Sequence, residues 1–197
     1  ILICCSSPRE APQTATIASQ ASQVPTWSQQ DLDAFLHGSM GAEFVPEVVL
    51  KAFIATNPEL FPSENLDNFG LIPDPIVGWP IGFGTGNPMH LASMPSVGVN
   101  CAACHVAQVE APGKPPVRVL GATSHFDAEA FFNAVIGATF LTAKPANMQR
   151  FLAAYLDQVD PEPSADKRKS RRERFDSIWS RQSSAIAEAM GRDAALN

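Results

Sequence analysis

Residues 97–105 read Val-Gly-Val-Asn-Cys-Ala-Ala-Cys-His. Asn100 can cap a short helix that begins at Cys101. Two thiols three positions apart then lie on one side of a single helical turn. C-x-x-C-H is the spacing at which a chain attaches haem covalently. Cys101 and Cys104 would add to the two vinyl groups along one porphyrin edge. His105 would bring an imidazole nitrogen to the iron as its proximal axial ligand. The expected cofactor is one covalent haem c.

Other uses of paired cysteines need features around them. A thioredoxin-like dithiol needs a strand-helix setting in a βαβ unit, and Val97-Gly98-Val99 is too short a strand signal to supply one. A zinc site needs two more ligands, and there is no second C-x-x-C or H-x3-5-H. Cys4 and Cys5 lie far from the motif, and His37, His90 and His125 carry no ligand spacing.

The 197 residues are 45% apolar and 17% charged, which suits a globular chain of one domain or a little more. A net charge of -6 argues against nucleic acid as a partner. Seventeen prolines favour loops over long sheets. Weak alternation and scarce Tyr and Thr argue against a β protein. The expected fold is mostly α, a cytochrome c-like helical haem domain with long ordered loops.

The first residues, Ile-Leu-Ile-Cys-Cys followed by Ser-Ser-Pro, resemble the tail of a bacterial lipoprotein signal. In that reading Cys5 is lipidated and anchors the chain to a membrane. Cys4 stands where Gly or Ala is usual, so an ordinary secretory remnant or an arbitrary cut remains open. No stretch approaches the roughly 20 apolar residues of a spanning helix. Haem c attachment in bacteria takes place outside the cytoplasm. Both features therefore predict a periplasmic or other extracytoplasmic location.

The expected organisation has three parts. Residues 1–26 form a signal remnant or lipidated tether, rich in Ala, Ser, Gln, Thr and Pro. Residues 27–160 form the haem domain. Residues 161–197 form a polar extension in which seven of the fourteen Lys and Arg fall between Lys167 and Arg181. That run suits either a docking face for an acidic redox partner or a solvated helix, and we read it as the latter.

Within the central part, Ser28 should cap a helix carrying Leu32, Phe35 and Leu36, with Gly38 as its stop. Pro46 should open a second helix, ending by Asn57 because Pro58 follows. Residues 58–99, punctuated by Pro and Gly yet rich in Leu, Ile, Phe and Trp, should be an ordered wrapping segment that lines a haem pocket. Val117–Leu120 could be a short strand. Asp127 and Pro145 should open two further helices.

The sixth iron position separates two functions. Methionine or a second histidine closes the iron for electron transfer, and an empty position admits peroxide or dioxygen. The candidates are His125, His90, Met94 and Met89. Met148 has a suitable distance from the motif but falls inside a predicted helix.

A wider likeness surrounds the motif. Glu43-Phe-Val-Pro46, Gly70-Leu-Ile-Pro-Asp-Pro75 and Trp79-Pro-Ile-Gly-Phe83 lead into Val97–His105. Val117-Arg-Val-Leu-Gly-Ala122 and Phe126-Asp127 follow it. Over about residues 40–160 the chain resembles the first-haem half of large bacterial di-haem cytochromes c, relatives of the di-haem peroxidases that include the rubber oxygenases. The resemblance implies a redox role with a partner protein or a small oxidant, as an electron carrier or as a peroxidase- or oxygenase-type oxidoreductase. Only Cys101, Cys104 and His105 carry over as haem-binding residues. Those relatives have a second C-x-x-C-H downstream and this sequence has none before Asn197, which suggests a fragment or a single-haem form.

Overall fold

In the computed structural model the described residues are 23–159 with 169, 170 and 173. The lipidation candidate Cys5, nearly all of the 1–26 tether and most of the 161–197 extension fall outside them. The chain divides into two compact units that interleave along the sequence. The first takes residues up to Glu43, then Asn65–Gly86 and Val97–Phe126. The second takes Phe44–Glu64, Asn87–Ser96 and everything from Asp127.

The expected mostly helical, cytochrome c-like fold is not what forms. About 45% of the structure is helical and 14% is strand, arranged as a mixed α/β fold with two small sheets. One sheet has the order β1-β3-β2, where β1 is Glu43–Pro46, β2 is Phe83–Gly86 and β3 is Ser96–Val99. The other is an antiparallel hairpin of β4 (Val106–Val109) and β5 (Val117–Leu120), with Val106 opposite Leu120 and Val109 opposite Val117.

The physical reason is strand length and composition. Each strand has four residues, too few to show an alternation, and several positions are held by glycine. Gly98 illustrates this. A β-carbon there would stand 2.7 Å from the Ala42 carbonyl oxygen and 2.9 Å from the Glu43 Cα. Close backbone approach builds this sheet where side-chain propensity gives no signal.

The first unit contains α1 (Gln29–His37), the short helix α3 (Cys101–His105) and the hairpin. Ser28 caps α1 as expected. Its Oγ accepts from the Asp31 amide at 3.2 Å, and its own amide donates to the Asp31 carboxylate at 2.8 Å. Gly38 ends the helix by donating to the Ala34 carbonyl at 2.8 Å. The core comprises Leu32, Leu36, Ile72, Ile81, Ala102 and Val106, with Trp27, Phe35 and Leu120 packed against it. Gln23 lies against β5, where its side-chain amide donates to the Arg118 carbonyl at 2.7 Å and accepts from Leu120 at 3.1 Å. Gln23, inside the expected 1–26 tether, is therefore bonded to the first unit.

The second unit is built on α2 (Glu47–Thr56), α4 (Ala128–Thr142) and α5 (Pro145–Val159). Pro46 is the N-cap of α2 rather than its first-turn residue, and Asn57 closes it by donating to the Phe53 carbonyl at 3.1 Å. Phe53 packs on Phe151 with ring centroids 5.2 Å apart, and Phe44 packs on both Phe131 and Phe132. Asp127 caps α4 through the Ala130 amide at 2.8 Å.

The segment 58–99 is ordered, as its apolar content suggested. Phe61, Phe69, Trp79, Ile81 and Phe83 are buried, and Trp79 stacks on Phe83. It contributes β2, β3 and two single 3-10 turns, Asp67–Phe69 and Met89–Leu91.

Candidate functional site

The five motif residues form α3, and the surrounding chain fastens both of its ends. Asn100 is the N-cap. Its Oδ1 accepts from the Ala102 amide at 2.9 Å, while its Nδ2 donates to the Gly38 carbonyl at 3.1 Å and the Leu36 carbonyl at 3.4 Å. Its backbone amide donates to the Gly82 carbonyl at 2.7 Å, and Gly82 donates to Leu36 at 2.9 Å. One buried side chain thus ties the start of α3 to the end of α1.

The last carbonyls of so short a helix have no partners within it. Ser124 and Gly121 supply them. The Ser124 hydroxyl donates to the Ala103 carbonyl at 2.6 Å, and its amide to the Cys104 carbonyl at 3.0 Å. The Gly121 amide donates to the His105 carbonyl at 2.7 Å. Past His105 the chain becomes extended at Val106 and enters β4.

The helix has two distinct faces. Ala102 and Ala103 are 1% and 3% exposed and face the core of the unit. Cys101 and Cys104 are free thiols and exposed, and His105 is exposed beside them. The three groups that the haem reading requires are those turned outward, over a floor of small buried side chains. Had the thiols been buried, that reading would have been lost. The residues fit a covalent porphyrin.

A buried charge network lies in the same unit. Asp74 Oδ2 stands 3.4 Å from both His37 Nε2 and Arg118 Nη1. Arg118 also donates to the Pro73 carbonyl at 3.3 Å. His37 is the last residue of α1, and Arg118 lies in the hairpin that follows His105 directly. The network therefore braces the two elements that flank the motif in space. No sequence signal marked it, because its members are 37 and 44 positions apart.

The sixth-ligand candidates are dispersed. His125 is exposed and belongs to the first unit, where its backbone carbonyl packs at Gly70. Met89, His90 and Met94 belong to the second unit, on a tight turn in which Ala92 and Ser93 take left-handed φ values of 55° and 53°. Met89 is 90% exposed. Met148 is buried within α5. The residue that meets the motif was not among the candidates. Met40 accepts a hydrogen bond from the Cys101 thiol, sulfur to sulfur 3.6 Å.

Among the described residues, no group of three or more His, Cys, Asp or Glu side chains is arranged to hold a metal ion. No helix among them is long and apolar enough to cross a membrane. No protein-family description, curated protein or solved structure matches this chain.

Proposed function

We propose that Cys101, Cys104 and His105 hold one covalent haem c and that the chain serves extracytoplasmic electron transfer, as one half of a di-haem, peroxidase-like cytochrome. The observation that carries this is the two-faced helix: alanines buried, thiols and imidazole outward. The proposal stands on that geometry and on the C-x-x-C-H spacing, and needs no helical cytochrome fold around it.

The chain's residues have separate tasks. Each free thiol would add across one vinyl group of the haem, its sulfur bonding one carbon and its hydrogen passing to the other, so that no oxidant would be consumed. His105 would present an imidazole nitrogen to the iron. Asn100, Gly121 and Ser124 hold the helix ends so that all three groups emerge from a fixed frame. When bound, the haem supplies a one-electron couple that takes an electron from one redox partner and passes it to another.

The test is expression with export in a bacterium that attaches haem c, followed by a denaturing gel stained for haem peroxidase activity. The band should stain for the wild type and fail for the Cys101→Ala, Cys104→Ala double variant. An unstained wild-type band, beside a stained cytochrome c from the same cells, would overturn the proposal. Stoichiometric zinc in place of haem would overturn it as well.

A further inference from the structure

Met40 lies in the loop between α1 and β1, 61 positions before the cysteine whose thiol it meets at 3.6 Å. It is the one methionine of the first unit. The residue is 62% exposed. An unbranched thioether left uncovered against a free, exposed thiol is an apolar group placed where further apolar surface would seat.

The loop that carries Met40 is braced on both sides. Before it, the Gly38 carbonyl accepts from Asn100, the cap of α3. After it, the Gly41 amide donates to the Ser39 hydroxyl at 3.1 Å, and that hydroxyl donates in turn to the buried carboxylate of Glu43. Gly41 takes a left-handed φ of 72° that turns the chain back. Met40 is therefore held against the cysteine end of the motif by bonds to the motif's own cap.

We infer that Met40 is the sixth axial ligand of the haem held by Cys101, Cys104 and His105. The inference rests on the haem proposal above. A thioether is a neutral, soft donor that favours ferrous over ferric iron and so raises the potential. The unbranched side chain is adaptable, so its sulfur is not confined to the contact with the thiol. Among the described residues of the first unit, the histidines other than His105 are His37 and His125. His37 is engaged with Asp74 inside the unit. His125 follows Ser124, which binds the C-terminal carbonyls of α3, the end that carries His105 itself. Met40 stands at the opposite end of α3, against Cys101. A methionine there closes the iron, which favours an electron carrier over a site open to peroxide or dioxygen.

The experiment compares haem-loaded wild type with Met40→Ala and Met40→His. Covalent haem is scored first, by peroxidase staining of denatured protein. The near-infrared methionine-to-iron charge-transfer band of the ferric form and carbon monoxide binding by the ferrous form are scored next. All three proteins should keep covalent haem. Wild type should show the band and resist carbon monoxide. Met40→Ala should lose the band and bind carbon monoxide readily, and Met40→His should become six-coordinate again at a lower potential. Met89→Ala and Met94→Ala should retain the band. Haem-loaded wild type without the band, or a band that survives Met40→Ala, would overturn the assignment while leaving the haem proposal intact. Wild type without covalent haem would overturn both.

Discussion

Gly82 lies directly against the backbone of Ala103, so that a methyl on its α-carbon would stand 2.2 Å from both the Ala103 nitrogen and its Cα. The φ of Gly82 is also left-handed, at 91°. Two separate penalties therefore fall on any side chain here, one steric and one torsional. Gly82→Ala should destabilise the fold by roughly 3 kcal/mol or more. A lowered urea midpoint would show this, together with a loss of covalent haem yield. An unchanged midpoint would mean that α3 does not dock on Gly82.

Asn100 uses its side chain in two directions at once, accepting from Ala102 and donating to Gly38 and Leu36. Asn100→Asp keeps the acceptor and replaces the donor with an oxygen that faces two carbonyls. Asn100→Ala loses both. Loss of a cap alone costs about 1 kcal/mol, and loss of the buried donor adds to it. Both variants should unfold at lower urea concentration than wild type. Full retention of stability in Asn100→Asp would show that only the cap matters.

Asp31 gives the acid dependence a definite sign. The Ser28 hydroxyl, and after it the Ser28 backbone amide, hold its carboxyl below the ordinary value of 3.8. A depressed carboxyl adds stability that is fully present above the unfolded value and is lost as pH falls through the folded one. Asp31→Asn should therefore narrow the stability gap to wild type as the solution is acidified below that ordinary value. Urea midpoints measured across acid pH would report it, and a gap that widened on acidification would contradict the assignment.

How much of this was legible beforehand differs from element to element. α1 was readable in full, because Ser28, the Leu32 and Leu36 stripe and Gly38 are local signals that agree with one another. The end of α2 at Asn57 was readable from Pro58. Of the strands, Val117–Leu120 was readable and is β5, whereas β2 and β3 were not, since four residues that include Gly84, Gly86 or Gly98 carry no period, and their sheet depends on distant backbone segments coming together. The short helix at the motif and its Asn100 cap were readable, and the structure adds that Cys101, Cys104 and His105 face outward. Met40 was invisible, because nothing in Gly-Ser-Met-Gly signals a contact 61 residues away.

On α4 the two faces should respond very differently. Phe131 is fully buried and packs edge-on to Phe44 and Phe132. Phe140 is 73% exposed on the same helix. Phe131→Ala should cost about 3–5 kcal/mol through lost burial and a cavity. Phe140→Lys should stay within about 0.5 kcal/mol of wild type. Equal losses by thermal or urea denaturation would mean that the exposed face of α4 is covered in solution.

The Asp74 network offers a test of coupling. Asp74 and Arg118 side chains are 6% and 7% exposed, so water does little to screen either charge. Removing one partner leaves the other buried and uncompensated, which typically costs roughly 3–5 kcal/mol. Arg118→Met and Asp74→Asn should each approach that loss. The double variant carries no orphaned charge in this pair and should lose clearly less than the sum of the two. His37 is the second partner of the same carboxylate oxygen, so Arg118→Met should also make stability more sensitive to His37→Ala than it is in wild type. Strict additivity across the Asp74–Arg118 cycle, measured by urea unfolding, would show that the two groups are neighbours without being partners.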